Sequence, residues 1–356
     1  MREQKMMNQK EKRTTITQVA QKAGVTIATV SHVINGTAPI SEETKKRVRE
    51  AIEELQYVPN ATAKALRSRR KTSIGLMIPN LNNNFHSKVT SVFVEEAYKE
   101  GYSVQIHGYE YSLEREKREL ERLERNDIGT VVIFNGAGDE ERIRRFLKKE
   151  IPVILVDRST TLPDVPYIRF DNHKIMSEIV SMLKEKGYNR IGFFSEPVVL
   201  TNLQDRLEGY KEALARYGYA YRPEDIYIKE DLCLDNLRNG YRFMKEILQS
   251  KKKEELPDAW IASSDLLAIG LMRAMDECGY RVPADFGVVG FDNIEVSGFV
   301  NPRLTTVEQN QVLLGRKLME LVKKVNQKEK NVENITLEQK LIERNSCKEQ
   351  QSDNNY

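Results

Sequence analysis

Cysteine is scarce in this chain. Cys233, Cys278 and Cys347 form no CxxC pair and share no short spacing. That argues against a disulfide frame or a cysteine zinc site and fits a reducing compartment. The four histidines, His32, His86, His107 and His173, are equally isolated, so no metal centre is expected. No run of 18 apolar residues occurs, so no helix is expected to span a membrane. The first residues, MREQKMMNQKEKR, lack an apolar core and do not read as a secretory signal. Catalytic signatures are missing as well: there is no P-loop, GxSxG or HExxH. The run FNGAGDEE has two of the three glycines of a dinucleotide fingerprint, and its acids crowd the place of a pyrophosphate. Neither an enzyme nor a bound cofactor is expected.

What is present is an uneven charge. Net charge is only +3 over 356 residues, a length that suggests two or three domains. Residues 1–71 carry 15 Lys and Arg against 7 Asp and Glu, a net +8, so the remainder carries −5. A basic head on an acidic body points to a polyanionic partner for the head alone.

The head contains two short helical patterns back to back. Ile16, Val19, Ala20 and Ala23 recur at helical spacing, and Thr15 with Gln18 forms a capping box. Gly24 supplies the left-handed residue that ends this helix. Thr26 can cap a second helix, with Val30 and Val33 inward. Its outward positions, Ile27, Ala28, Thr29, Ser31 and His32, are small or hydrogen-bonding and include no acid. Two helices of about two turns cannot stand alone. As a helix-turn-helix, the second would enter a DNA major groove. Ile27 and Ala28 suit thymine methyls, His32 suits a purine edge, and Thr26, Thr29 and Ser31 suit phosphates. A third helix, capped by Ser41 and lined by Val48, Ala51, Ile52 and Leu55, closes the small core. Pro59 stops it. Asn60 can then cap ATAKALRSRR, where Lys64, Arg67, Arg69, Arg70 and Lys71 put five positive charges in eight residues. Such a segment folds when a phosphate field compensates its ordering cost.

From Thr72 the texture alternates between apolar strands and amphipathic helices in two successive sets. An α/β core of two doubly wound parallel sheets is expected, with a cleft at the carboxyl ends of the strands. An amphipathic helix near 309–326 and a strand near 335–341 come last, suggesting that the chain passes between the lobes more than once.

Residues Thr15, Ile16, Val19, Ala20, Ala23, Gly24, Val25, Thr29, Val30, Ser31, Val33 and Asn35 resemble the headpiece of the LacI family of bacterial transcription regulators. The resemblance runs from about Thr14 to Cys347. It implies a DNA-reading set that includes Asn35, and a hinge helix in which Leu66 wedges into a base step of the minor groove beside Ala63 and Arg67. It also implies a periplasmic-binding-like core with an effector pocket. Arg206, in QDRLEGY, matches the family's anchoring arginine. Asp292, in GFDN, matches its paired acid, and Asp157, in LVDR, another pocket acid. Phe85 lies in the first cleft loop and Asp265 in the SSD run. The chain departs from the family pattern at Asn83–His86, which lacks the usual proline and second aromatic. It has Leu200 where purine-binding relatives carry arginine, which weighs against a purine, and Ser264 where many sugar-binding relatives have asparagine.

The resemblance therefore implies a cytoplasmic, nucleoid-associated homodimer on double-stranded palindromic DNA, answering to a small molecule of the sugar class. Control by a protein co-repressor is the alternative. The expected divisions are a disordered arm at 1–13, a headpiece at 14–59, a hinge at 60–71, a core at 72–347 and a disordered tail at 348–356. Within the core, 72–170 with 302–331 should form one lobe, and 171–300 with 332–347 the other.

Overall fold

The structure is a computed structural model that describes residues 14–35, 38–57, 72–136, 140–198, 200–233 and 235–349. The arm at 1–13, the hinge segment with Ala63, Leu66 and Arg67, and the side chain of Asn35 lie outside the described residues. The chain divides into two compact units, residues 1–71 and 72–356.

In the first unit, α1 (Ile16–Ala23), α2 (Ile27–Asn35) and α3 (Glu42–Glu54) enclose a small core. Val19, Ala20, Ala23, Val30, Val48 and Ala51 form its buried centre, with Ile16, Val33, Ile52 and Leu55 packed against it. The capping box at Thr15 and Gln18 forms as read. Gly24 ends α1 at φ 66°, a conformation glycine adopts without a Cβ clash. Ser41 caps α3 by accepting from Thr44 N.

The second unit has two six-stranded sheets of matching order. The first comprises β1 (Ser73–Ile78), β2 (Ser103–Gly108), β3 (Thr130–Phe134), β4 (Val153–Val156), β5 (Tyr167–Phe170) and β11 (Ile335–Leu337), ordered β11-β5-β4-β3-β1-β2. The second comprises β6 (Ile191–Ser195), β7 (Ile226–Ile228), β8 (Ala259–Ala262), β9 (Gly287–Phe291), β10 (Thr305–Glu308) and β12 (Lys340–Ile342), ordered β12-β10-β9-β8-β6-β7. All pairings are parallel except β10 with β12, which is antiparallel.

Strand residues alternate between two helix layers, as burial on both faces requires. In the first lobe, Leu76, Val132, Phe134, Ile154 and Phe170 pack under α4 (Asn84–Lys99) and α11 (Gln311–Asn326). Met77, Val131, Ile133, Val153 and Leu155 pack under α5 (Leu113–Arg125) and α6 (Glu140–Lys148). In the second lobe, Phe193, Ile261, Val289 and Phe291 face α7 (Asn172–Glu185) and α8 (Thr201–Arg216). Phe194, Trp260 and Val288 face α9 (Asn236–Ser250) and α10 (Asp265–Glu277).

The lobe boundaries differ from the sequence expectation. Residues 305–308 form β10 of the second sheet, not part of the first lobe. Ile335–Leu337 pairs with β5 in the first sheet, while Lys340–Ile342 pairs with β10 in the second. The single strand expected at 335–341 is therefore two short ones in different lobes. The chain crosses between lobes three times, after Phe170, after Glu308 and after Leu337. Lys348, expected to lie in the tail, is held against Tyr188 of the second lobe. Lys348 N donates to the Tyr188 hydroxyl at 3.0 Å, and its ammonium lies 4.6 Å from that ring's centroid.

Candidate functional site

In the first unit the candidate surface is the outward row of α2. Thr26 opens the helix: its hydroxyl accepts from Thr29 N at 3.1 Å and shares a hydrogen with Thr29 Oγ1 at 2.9 Å. Ala28 and His32 are exposed one turn apart, with Thr29 and Ser31 half-buried beside them. Ile27 departs from the sequence reading. It is half-buried and packs against the headpiece core formed by all three helices. Only part of its apolar surface is left for a base. The helix carries no acid, so nothing on it repels phosphates.

In the second unit the candidate site lies between the lobes, at the carboxyl ends of both sheets. The matching strand orders make Asp157 and Asp292 equivalent. Each directly follows the fourth strand of its lobe, β4 or β9. Each donates its backbone N–H to the neighbouring strand, to Ile168 O at 2.7 Å and Val307 O at 2.9 Å. Each has positive φ, 56° and 102°, conformations of the kind that cluster at functional sites.

Arg206 enters from α8 and is held on several sides. Its Nε donates to Asn172 Oδ1 at 3.2 Å and its Nη1 to Ser263 O at 2.8 Å. Its guanidinium carbon lies 4.1 Å from the Phe291 ring centroid. The Gln309 amide is satisfied when its oxygen accepts from Arg206 Nη2 at 3.2 Å and Gln339 Nε2 at 3.0 Å, and its nitrogen donates to Asp292 Oδ1 at 3.0 Å. Asn172, Gln309 and Gln339 stand at the three interlobe crossings, so one guanidinium is tied to all three, to the third through Gln309.

Asp157 is buried, and Asn202 Nδ2 donates to its Oδ2 at 2.7 Å. Burial raises its pKa to about 7 against the opposing pull of Arg206. Burial likewise raises Asp292 to about 6; Arg206 counters this and Glu196 adds to it. His86 is buried and lowered to about 4, which keeps it neutral. Phe85 lies beside it and meets Phe170 edge-on at 6.2 Å.

Four of the five expected pocket residues, Phe85, Asp157, Arg206 and Asp292, line one cavity with Asn135, Glu196, Asn202 and Ser263. The free space between them is about 30 Å³. Asp265 does not line it. Its Oδ2 accepts from Ile294 N at 2.9 Å and its Oδ1 from Thr306 Oγ1 at 2.5 Å. It pins the segment after β9 beneath the cleft instead of facing a ligand. Ser264 caps α10 by accepting from Leu267 N. The sequence reading missed Asn135, Asn202 and Glu196. The clue for Asn135 was its place one residue past β3, the neighbour of β4. Glu196 stands likewise one residue past β6.

Comparison with known proteins agrees with both units. A family model described as bacterial regulatory proteins, lacI family, matches residues 15–60, and one described as a periplasmic binding protein-like domain matches 180–347. The HTH-type transcriptional repressor PurR of Mannheimia succiniciproducens is 30% identical over 336 residues, 94% of this chain and 98% of its own. The Lac repressor dimer bound to operator and the anti-inducer ONPF superposes with a TM-score of 0.83 at 27% identity, covering 95% of this chain and all of that one. A complex of the transcriptional regulator CelR with cellobiose matches with a TM-score of 0.68 at 27% identity over 94% of this chain and all of that one. A helix-turn-helix headpiece on a two-lobed binding body defines a DNA-binding regulator of transcription. The chain belongs to the LacI family of bacterial regulatory proteins.

Proposed function

We propose that the protein is a homodimeric cytoplasmic repressor of a carbohydrate-utilisation operon, controlled by a small molecule of the sugar class. Two headpieces occupy successive major grooves of a palindromic operator. Ala28, His32 and the free edge of Ile27 read bases, and Thr26, Thr29, Ser31 and Asn35 fix the register. Residues 60–71 of both subunits enter the central minor groove, with Leu66 as wedge and Ala63 and Arg67 beside it. Phe85, Asp157, Arg206 and Asp292 hold the effector. The effector shifts operator affinity only by its difference in affinity for two lobe arrangements.

The observation that carries this reading is a pair of buried acceptors in the interlobe cavity, Asp157 Oδ1 and Asn135 Oδ1, neither with a protein partner. Buried acceptors without donors are costly, and a polyol supplies donors. The CelR–cellobiose complex supports the sugar class. The test is footprinting on DNA flanking the protein's own gene, with and without a panel of sugars. Expected are a protected palindrome and retention that falls by about 10³-fold or more between 50 and 200 mM salt. Leu66→Ala should weaken specific binding and leave non-specific binding nearly intact; equal loss of both rules out the wedge.

One observation favours control by a partner protein instead. The free space of about 30 Å³ is far below the roughly 300 Å³ of ordinary ligand pockets. Under the sugar reading the lobes open to admit the ligand. Calorimetric silence across the whole sugar panel, from protein that still binds its operator, would favour the protein partner.

A further inference from the structure

The effector cleft, taken as a small-molecule site as above, also has a charge preference. We infer that it takes a donor-rich ligand without negative charge, a neutral polyol or an amino sugar, and rejects sugar acids and sugar phosphates.

The first argument is the balance of donors and acceptors. Asn135 and Asp157 follow register-matched neighbours, Phe134 and Val156, on adjacent parallel strands. Their backbones are therefore about 4.8 Å apart. Both take a left-handed conformation, φ 52° and 56°, and both are almost wholly buried. Each leaves its Oδ1 unpartnered in the cavity wall. With Asp157 ionised, these two acceptors on neighbouring strands ask for two donors from the ligand, as hydroxyls or an ammonium supply, and such donors favour the ionised form. A carboxylate or phosphate oxygen brings only further lone pairs.

The second argument is charge. Asp157, Glu196 and Asp292 line the cavity against a single guanidinium. That guanidinium is already engaged: Asn172, Ser263 and Gln309 accept from its three nitrogens, and Phe291 covers one face. His86 is held neutral by burial and supplies no balancing charge. An anion would enter a desolvated space beside three carboxyl groups, with only the guanidinium's two remaining N–H groups to meet it.

The test is isothermal calorimetry on the full chain with matched sets: a hexose, its 2-amino-2-deoxy analogue, its aldonate and its 6-phosphate, for the gluco, galacto and manno series, with ribose and ribose 5-phosphate. Binding confined to neutral and amino members, with tenfold or greater preference over the anionic member of the same series, supports the inference. Asp157→Asn should weaken the amino analogue more than the parent hexose; Glu196→Gln, outside the two-acceptor pair, should shift the same ratio in the same direction. An aldonate or phosphate that binds more tightly than its parent sugar overturns the charge preference and leaves the small-molecule site standing. Silence from every member, with operator binding intact, overturns both.

Discussion

Burial makes Asp157 and Asp292 costly residues of the body. Each is buried, and each holds its proton above the usual carboxylate range, at about 7 and about 6. Unfolded, both ionise near pH 4. Between pH 4 and 7 the folded state therefore binds more protons than the unfolded one, and stability falls as pH rises through that window. The body should melt at a lower temperature at pH 8 than at pH 5. Asp157→Asn should flatten that slope and stabilise the body by on the order of 1 kcal/mol at pH 8. A melting temperature that rises over the same range contradicts the assignment. The groups facing Asp157 are Arg206 and Asp205 on α8 and Asp292 across the cleft. A ligand donating to Asp157 favours its ionised form, so affinity for such a ligand should rise between pH 6 and 7.5. His32 belongs to this scale too. His32→Ala should cost about 1–3 kcal/mol of discrimination between operator and unrelated DNA and leave the salt dependence unchanged, as competition footprinting would show. Arg206 and both acids were placed by family resemblance, and the structure brings them to one cavity, the acids from strand ends and Arg206 from α8. The role of Asp265 was not legible: an acid at the start of a helix beside a cleft reads the same whether it faces a ligand or pins a loop. Only the partners Ile294 and Thr306 distinguish the two.

At the scale of elements, most helices and long strands were legible because their periods are strong. Tyr167–Phe170 and Thr305–Glu308 were not read as strands. The first carries an arginine and no continuous apolar run, and the second opens with two threonines that are nevertheless fully buried. The strand near 335–341 hid a change of sheet that only pairing reveals. Elsewhere, packing adds constraints that no pattern shows. A Cβ on Gly270 of α10 would lie 2.5 Å from Leu237 O and 2.8 Å from Tyr241 N, both backbone atoms of α9. Gly270→Ala should force these helices apart and destabilise the body by about 1–3 kcal/mol, measured by urea titration. In the headpiece, Thr15→Ala removes the capping box of α1 and should cost about 1 kcal/mol. That loss should appear in operator affinity and leave the body's melting unchanged.

At the scale of the whole molecule, the split between a basic head and an acidic body was readable from charge alone. The head's boundary at residue 71 coincides with the division into two compact units. The interleaving of the lobes was expected from the sequence, but its switch points were misplaced, because Thr305–Glu308 and Ile335–Leu337 reveal their sheets only through pairing. Three separate ribbons of backbone join the lobes, and residues beside each of them meet around one arginine. A pair of plates joined by three straps resists skewing and sliding; the motion left to it is a swing about the line the straps define. Whatever settles between the plates acts as a doorstop, and its thickness sets the angle.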